Sequence, residues 1–179
     1  MVYASSDLRE EHEGVLAGLS ILERMGEAGS TSIEDAREIA EFFALFADKC
    51  HHGKEEGHLF PALEKAGIPS ENGPIGQMLA EHALGRTFIA SLRLAAQGDR
   101  LEQVAFQQAA KGYVHLMRPH IEKENNVLFP MGDRMMPQEE QQRLLSAFEQ
   151  HEESVIGPGI HEHLHEVLHR LGEKYRLKK

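Results

Sequence analysis

The sequence predicts an all-α protein, an up-down antiparallel four-helix bundle followed by two additional C-terminal helices. Three observations predict it. Apolar residues recur at spacings of three and four, with almost no alternating strand pattern. The connections between periodic segments are short and rich in Gly, Pro and Ser. The two halves of the bundle region repeat one another. From Leu8, the series Val15, Leu16, Leu19, Leu22 and Met25 outlines a first amphipathic helix, closed by Gly26 and Gly29. Ser32 followed by Asp35 has the form of a capping box and opens a second helix, with Ile39, Phe42, Phe43 and Phe46 on its apolar side. Gly67, Ile68 and Pro69 end it, and "PSENGP" is a turn-rich connection. Pro74 starts a third helix that runs through Met78, Leu79, His82 and Leu92 to Gly98. The fourth spans about Arg100 to Arg134, and Pro119 inside it is expected to bend it. Short loops between four long helices favour an antiparallel bundle.

Residues 1–136 form this predicted metal-binding unit, and 137–179 an extension. Pro137 opens a fifth helix with Leu144, Leu145 and Phe148; "GPG" at 157–159 breaks it. A sixth covers Ile160 to Tyr175, with an apolar stripe of Ile160, Leu164, Val167, Leu168, Leu171 and Tyr175. That stripe is expected to pack on the bundle or on a partner subunit, which leaves a homodimer through the C-terminal helices open.

Composition narrows the function. The 179 residues carry a formal charge of −10, so nothing favours neutralising a phosphate backbone, and nucleic acid is not an expected partner. No apolar run approaches the ~20 residues of a membrane helix. The start has no basic segment followed by an apolar one, and Cys50 is the single cysteine, so a cytoplasmic protein is expected. The outlier is histidine, with 12 residues.

The histidines hold the repeat. "HHGKEEGHLFP" at 51–61 and "HIEKENNVLFP" at 120–130 align without a gap at an offset of 69. His12 and His82 stand 70 apart in looser copies of a preceding helix. Each half thus reads as a helix with one His, then a helix with His-x3-Glu-x3-Leu-Phe-Pro. The alignment pairs His51 with His120 and Glu55 with Glu124, whereas His52 falls opposite Ile121 and Glu56 opposite Asn125. Helical stepping agrees: the face of His51 holds Phe43, Ala44, Ala47, Glu55 and Leu59, and that of His52 holds Glu41, Leu45, Asp48, Lys49 and Glu56. His51 and Glu55 are expected inside, His52 and Glu56 outside.

Inward histidines and carboxylates from four helices are costly to bury unpaired, and a metal cluster removes that cost. Side chains at i and i+4 reach one centre. Carboxylate mixed with imidazole suits iron or manganese, and no cysteine pair is present for a structural zinc site. The two-fold pattern suggests two metals, with His12, His51, His82 and His120 as nitrogen ligands and Glu55 and Glu124 bridging.

His12, His51-x3-Glu55, His82 and His120-x3-Glu124, with "EE..LFPALE" and "ENNVLFP", resemble the hemerythrin-like HHE cation-binding domain over about residues 8 to 135. The resemblance implies two Fe ions in an oxo- or hydroxo-bridged di-iron centre with bridging carboxylates; Mn or Zn could substitute. One position departs from the oxygen carriers, which place a His-x3-His pair on their third helix: Arg86 follows His82 by four. The pattern therefore fits a site open to O2, NO or peroxide, with an electron donor as a further partner, better than reversible oxygen carriage. It resembles di-iron proteins of oxidative and nitrosative stress, although the iron–sulfur repair proteins add a cysteine-bearing N-terminal segment with no counterpart before His12. The alternative is an iron buffer or sensor whose occupancy controls partner binding. Whether the protein is an enzyme is left open by the sequence.

Other residues carry smaller expectations. His58 borders the metal face, opposite Val127 in the repeat. Tyr113 shares the face of His120, and Cys50 is expected to be a buried small hydrophobe. Pro61 and Pro130 should distort their helices. His161, His165 and His169 recur every four residues and read as a solvated face that could take up zinc or nickel.

Overall fold

The structure, a computed structural model, describes residues 2–157 and 159–175; Pro158, the centre of the expected "GPG" break, lies outside them. Among the described residues there are six helices and no strand. They are α1 (Ala4–Glu27), α2 (33–65), α3 (Pro74–Ala95), α4 (103–135), α5 (Gln138–Val155) and α6 (Ile160–Lys174). None is long and apolar enough to cross a membrane.

Helix starts follow local chemistry. Ser32 Oγ accepts the backbone N–H of Asp35 at 3.2 Å, the cap that the sequence predicts, a contact contributing about 1 kcal/mol. The Asp35 carboxylate turns instead to the end of α6, where it accepts from the Tyr175 hydroxyl at 2.5 Å and pairs with Lys174 and Arg170. α1 begins at Ala4 rather than Leu8 because Gln141 Oε1 of α5 accepts the Ala4 N–H at 2.9 Å. α3 stops at Ala95, short of Gly98, and Arg37 donates to the carbonyls of Ala96 and Gly98.

α2 and α4 are single rods with changes of winding inside them. In both, a π turn begins at the glutamate of the repeat: Glu55–Leu59 and Glu124–Leu128. The N–H of Phe60 reaches back five residues to the Glu55 carbonyl, and that of Phe129 to the Glu124 carbonyl. Proline follows each phenylalanine. Its ring clashes with a carbonyl four residues back in an α-helix, and the wider turn relieves that clash. Pro119 does not interrupt the regular winding of Gln103–Lys123; the departure comes later, at Glu124. α2 alone carries a second π segment, Phe43–His52.

Apolar side chains gather in two clusters. The larger contains Val15 and Leu19 of α1, Phe43 and Cys50 of α2, Ile89 of α3 and Met117 of α4. The smaller contains Leu8 of α1, Leu59 of α2, Met78 of α3 and Leu128 of α4. α1 and α3 pass from the smaller to the larger as residue number rises, and α2 and α4 pass the other way. The extension joins both: Leu144 and Phe148 enter the smaller, and Leu164, Val167 and Leu171 the larger. Gly53 makes the close approach of α5 possible, since a Cβ there would stand 2.5 Å from His151 Nε2.

Candidate metal centre

Between the two clusters lies one polar layer. His12 follows Leu8 by a turn, His51 and Glu55 sit between Cys50 and Leu59, His82 between Met78 and Ile89, and His120 and Glu124 between Met117 and Leu128. All six are buried. The structure thus brings together every residue of the expected ligand set. His12 Nε2 and His51 Nε2 are 3.0 Å apart, and His82 Nε2 and His120 Nε2 are 3.2 Å apart. Glu55 spans the pairs, with Oε1 3.6 Å from His51 Nε2 and Oε2 3.3 Å from His82 Nε2. Glu124 Oε2 stands 3.3 Å from both His12 Nε2 and His120 Nε2.

These separations are informative. Two ligand atoms about 2.1 Å from a common cation stand roughly 3.0–3.4 Å apart, depending on coordination angle. The Glu55 and Glu124 oxygens, all four buried, have no hydrogen-bond partner. Buried carboxylate oxygens without donors are expensive, and cations held among them remove the penalty. The residues fit a pair of metal ions.

Each imidazole is also aimed from behind. His51 Nδ1 donates to Glu11 Oε2 of α1 at 2.8 Å, His82 Nδ1 to Glu56 Oε1 of α2 at 2.7 Å, and His120 Nδ1 to Glu81 Oε2 of α3 at 2.8 Å. His12 Nδ1 donates to Asn125 Oδ1 of α4 at 2.9 Å. Every helix therefore orients the histidine of its neighbour, closing a ring around the layer. A proton fixed on Nδ1 leaves the Nε2 lone pair pointing inward, the tautomer a metal requires. Lys54 Nζ donates to Glu11 Oε1 at 2.6 Å, and Lys123, its repeat counterpart, binds Glu81. Arg86 bonds Glu56 Oε1 and Asp48 Oδ1, both at 2.8 Å, so the position where oxygen carriers add a histidine holds instead the cation that fixes Glu56.

Without metal, the cage holds protons. Burial opposes charge on His51, but Glu55 and Glu11 outweigh it and push the imidazole up to about 9. Burial likewise opposes charge on His120, and Glu124 and Glu81 push it up to about 10. Against burial, His51 and Lys54 hold Glu11 down to about 2.

His52 corrects the sequence reading, which placed it outside. It is buried beside the cluster, in a segment of π winding over Phe43–His52, and its repeat counterpart Ile121 is equally buried in regular α winding. One of its nitrogens falls within 4.8 Å of ligand atoms of Glu55, His82 and His120. Its ring nevertheless lies flat on that of His82, with centroids 3.8 Å and planes 14° apart. Imidazole lone pairs lie in the ring plane, so one cation cannot face both rings in this pose. Burial, reinforced by His82 and His51, holds His52 neutral. Glu56 is half-buried and touches His82 from outside, a role that its repeat partner Asn125 also plays towards His12.

Glu11, Cys50 and Glu152 form another compact group, but its cation is already there: Lys54 Nζ also bonds Glu152 at 2.9 Å and Asp7 at 3.1 Å. Burial pushes the Cys50 thiol up to about 12, consistent with a packed, unreactive side chain. His58 packs against His151 and Phe148, away from the ligand set. The orienting residues went unnoticed in the sequence, although Glu precedes both His12 and His82, and Lys54 and Lys123 share a repeat position.

The family model described as Hemerythrin HHE cation binding domain matches residues 4–132. Uncharacterized proteins from Mycobacterium bovis and from two strains of Mycobacterium tuberculosis are each 28% identical over 165 residues, covering 87% of this chain and 64% of their own. The chain therefore spans just under two thirds of the length of these relatives. No solved structure matches the chain.

Proposed function

The chain belongs to the hemerythrin HHE cation-binding domain family, and from that premise we propose that it is a non-heme di-iron protein of the cytoplasm that binds or reduces O2, NO or peroxide. The observation that carries this reading is the set of four donor-less carboxylate oxygens between two facing pairs of histidine Nε2 atoms at coordination spacings. The alternating passage of α1 to α4 between the two apolar clusters supports an up-down bundle around that layer.

His12, His51 and Glu124 would hold one iron with Glu55, and His82 and His120 the other, sharing both carboxylates. Two bound irons would supply electrons and an exchangeable position for a small ligand. The protein's own part is orientation and exclusion. Nδ1 hydrogen bonds fix each ring, and apolar clusters on both sides keep bulk water from the layer. Small uncharged molecules cross such packing more easily than ions do.

A sensor role is the second reading, favoured by one contact. Glu152 of α5 shares Lys54 with Glu11, which orients His51, so the extension is tied to the ligand set. Anaerobic loading with Fe(II) should give about two irons per chain, and exposure to O2, peroxide or NO should change the optical spectrum. A protein that takes up only colourless zinc would refute the di-iron reading. Two irons inert to all three reagents would leave the sensor.

A further inference from the structure

A second arrangement of facing imidazoles lies on the surface of α6. His161 Nε2 and His165 Nε2 are 2.8 Å apart, four residues along one helix. The nitrogens are far closer than the ring centroids, which are 4.7 Å apart with planes 16° from parallel. The two Nε2 atoms therefore face one another, so a cation beside the line that joins them is within reach of both lone pairs. This is the geometry that His52 and His82 lack.

His161 is also held as the histidines of the buried layer are. Its Nδ1 donates to Glu152 Oε1 at 2.9 Å, leaving Nε2 as the free acceptor. Glu152 is fixed in turn, because its other oxygen takes the hydrogen bond from Lys54, whose side chain is 1% exposed. Phe46 packs near the His161 ring, with centroids 6.0 Å apart. One member of the pair is thus anchored in the correct tautomer, while exposed His165 is free to adjust.

We propose that His161 and His165 form a second metal site, independent of the buried one, for a single imidazole-preferring divalent cation such as Cu2+ or Zn2+. In the cation-free form His165 Nε2–H donates to His161 Nε2. Binding moves that proton to the solvent-facing Nδ1 of His165, so the ring stays neutral and both Nε2 atoms coordinate, with water completing the shell. The two nitrogens need to part by only a few tenths of an ångström.

The test titrates the iron-loaded full chain with Cu2+, following copper by electron paramagnetic resonance and iron content separately. One copper per chain with a two-nitrogen signature is expected at unchanged iron content. His161→Ala and His165→Ala should each weaken it at least tenfold, and Zn2+, which binds imidazole more weakly, should compete only in large excess. His163→Ala and His169→Ala, exposed positions on the same helix, should leave it intact. Absence of such a copper, its survival in His165→Ala, or an equal loss in His169→Ala would overturn the site. Iron content reads the buried centre alone, so its failure would be seen apart from failure of this pair.

Discussion

The two halves of the buried polar layer hold the same candidate ligands in unlike surroundings. In the first, His51 leans on Glu11 and Glu11 on Lys54; in the second, His120 leans on Glu81 and Glu81 on Lys123. Lys54 is 1% exposed because α5 brings Glu152 over it, whereas Lys123 is 35% exposed and its chain ends at solvent. The remaining two histidines differ as well. His82 is backed by a carboxylate, Glu56, that Arg86 holds, and His12 by the neutral amide of Asn125. Repetition has kept the coordinating atoms in register while the supports diverged. Two metals held there would therefore be inequivalent, and the inequivalence can be tested one residue at a time.

The largest effect should come from the residues that the halves share. Glu55→Ala and Glu124→Ala each remove a carboxylate facing two histidines on different helix pairs. Metal content measured by elemental analysis should fall from about two per chain to near zero in either variant. Glu56→Ala should retain most of its metal under saturating iron, since it touches only the back of His82. Equal loss in Glu55→Ala and Glu56→Ala would contradict the geometry.

Next come the matched supports. Glu11→Ala and Glu81→Ala should each weaken metal binding by roughly 10–100-fold, as loss of an orienting hydrogen bond does elsewhere. Their stabilities should separate. Removing Glu11 leaves the buried Lys54 ammonium short of one partner, at about 3 kcal/mol. Both variants also strip a buried imidazole of its partner; beyond that shared loss, removing Glu81 only releases Lys123 to solvent, a further change of less than ~1 kcal/mol. Urea unfolding of the two metal-free variants measures the difference. Equal stabilities would mean that α5 does not seal the first half.

Acidity should distinguish the metal-free from the loaded protein. His51 and His120 are pushed up to about 9 and about 10 from an ordinary value of 6.5. Protons on them favour the folded, metal-free chain fully below pH ~6.5, and that contribution disappears as pH rises through 9 to 10. The thermal midpoint of metal-free protein should therefore fall across this window. Metal must displace the same protons, so its affinity should climb over the same range, and the midpoint of the loaded protein should fall far less.

Much of this was legible in the sequence for identifiable reasons. Periodicity gave the helices, and the LFP-anchored repeat separated Glu55 from Glu56 correctly, because both copies start a π turn at the same glutamate. The reading of His52 judged its face by α-helical stepping through Phe43–His52, where the winding is π, and by the polar residues on that face. No proline marks that segment and the second half has no equivalent winding; the hint in the repeat was Ile121, the apolar and buried counterpart of His52. The ring of orienting contacts was hidden because each joins neighbouring helices, a relation that sequence spacing within one helix does not record. Its trace was the glutamate before both His12 and His82.

The finest test exchanges a support between halves. A carboxylate behind an imidazole raises its basicity and strengthens its bond to a metal; an amide orients the ring without that electrostatic push. An iron held by His12 should then be the weaker of two, and removal by a chelator should occur in two phases. Asn125→Asp places a carboxylate behind His12, slowing the faster phase by up to about tenfold and bringing the two together. Glu56→Gln should act in reverse on the His82 side, and it also leaves Arg86 with Asp48 as its one charged partner of the two. If both variants slowed the same phase, or neither changed release, the inequivalence would have to arise elsewhere, with His52 against His82 as the next difference to remove.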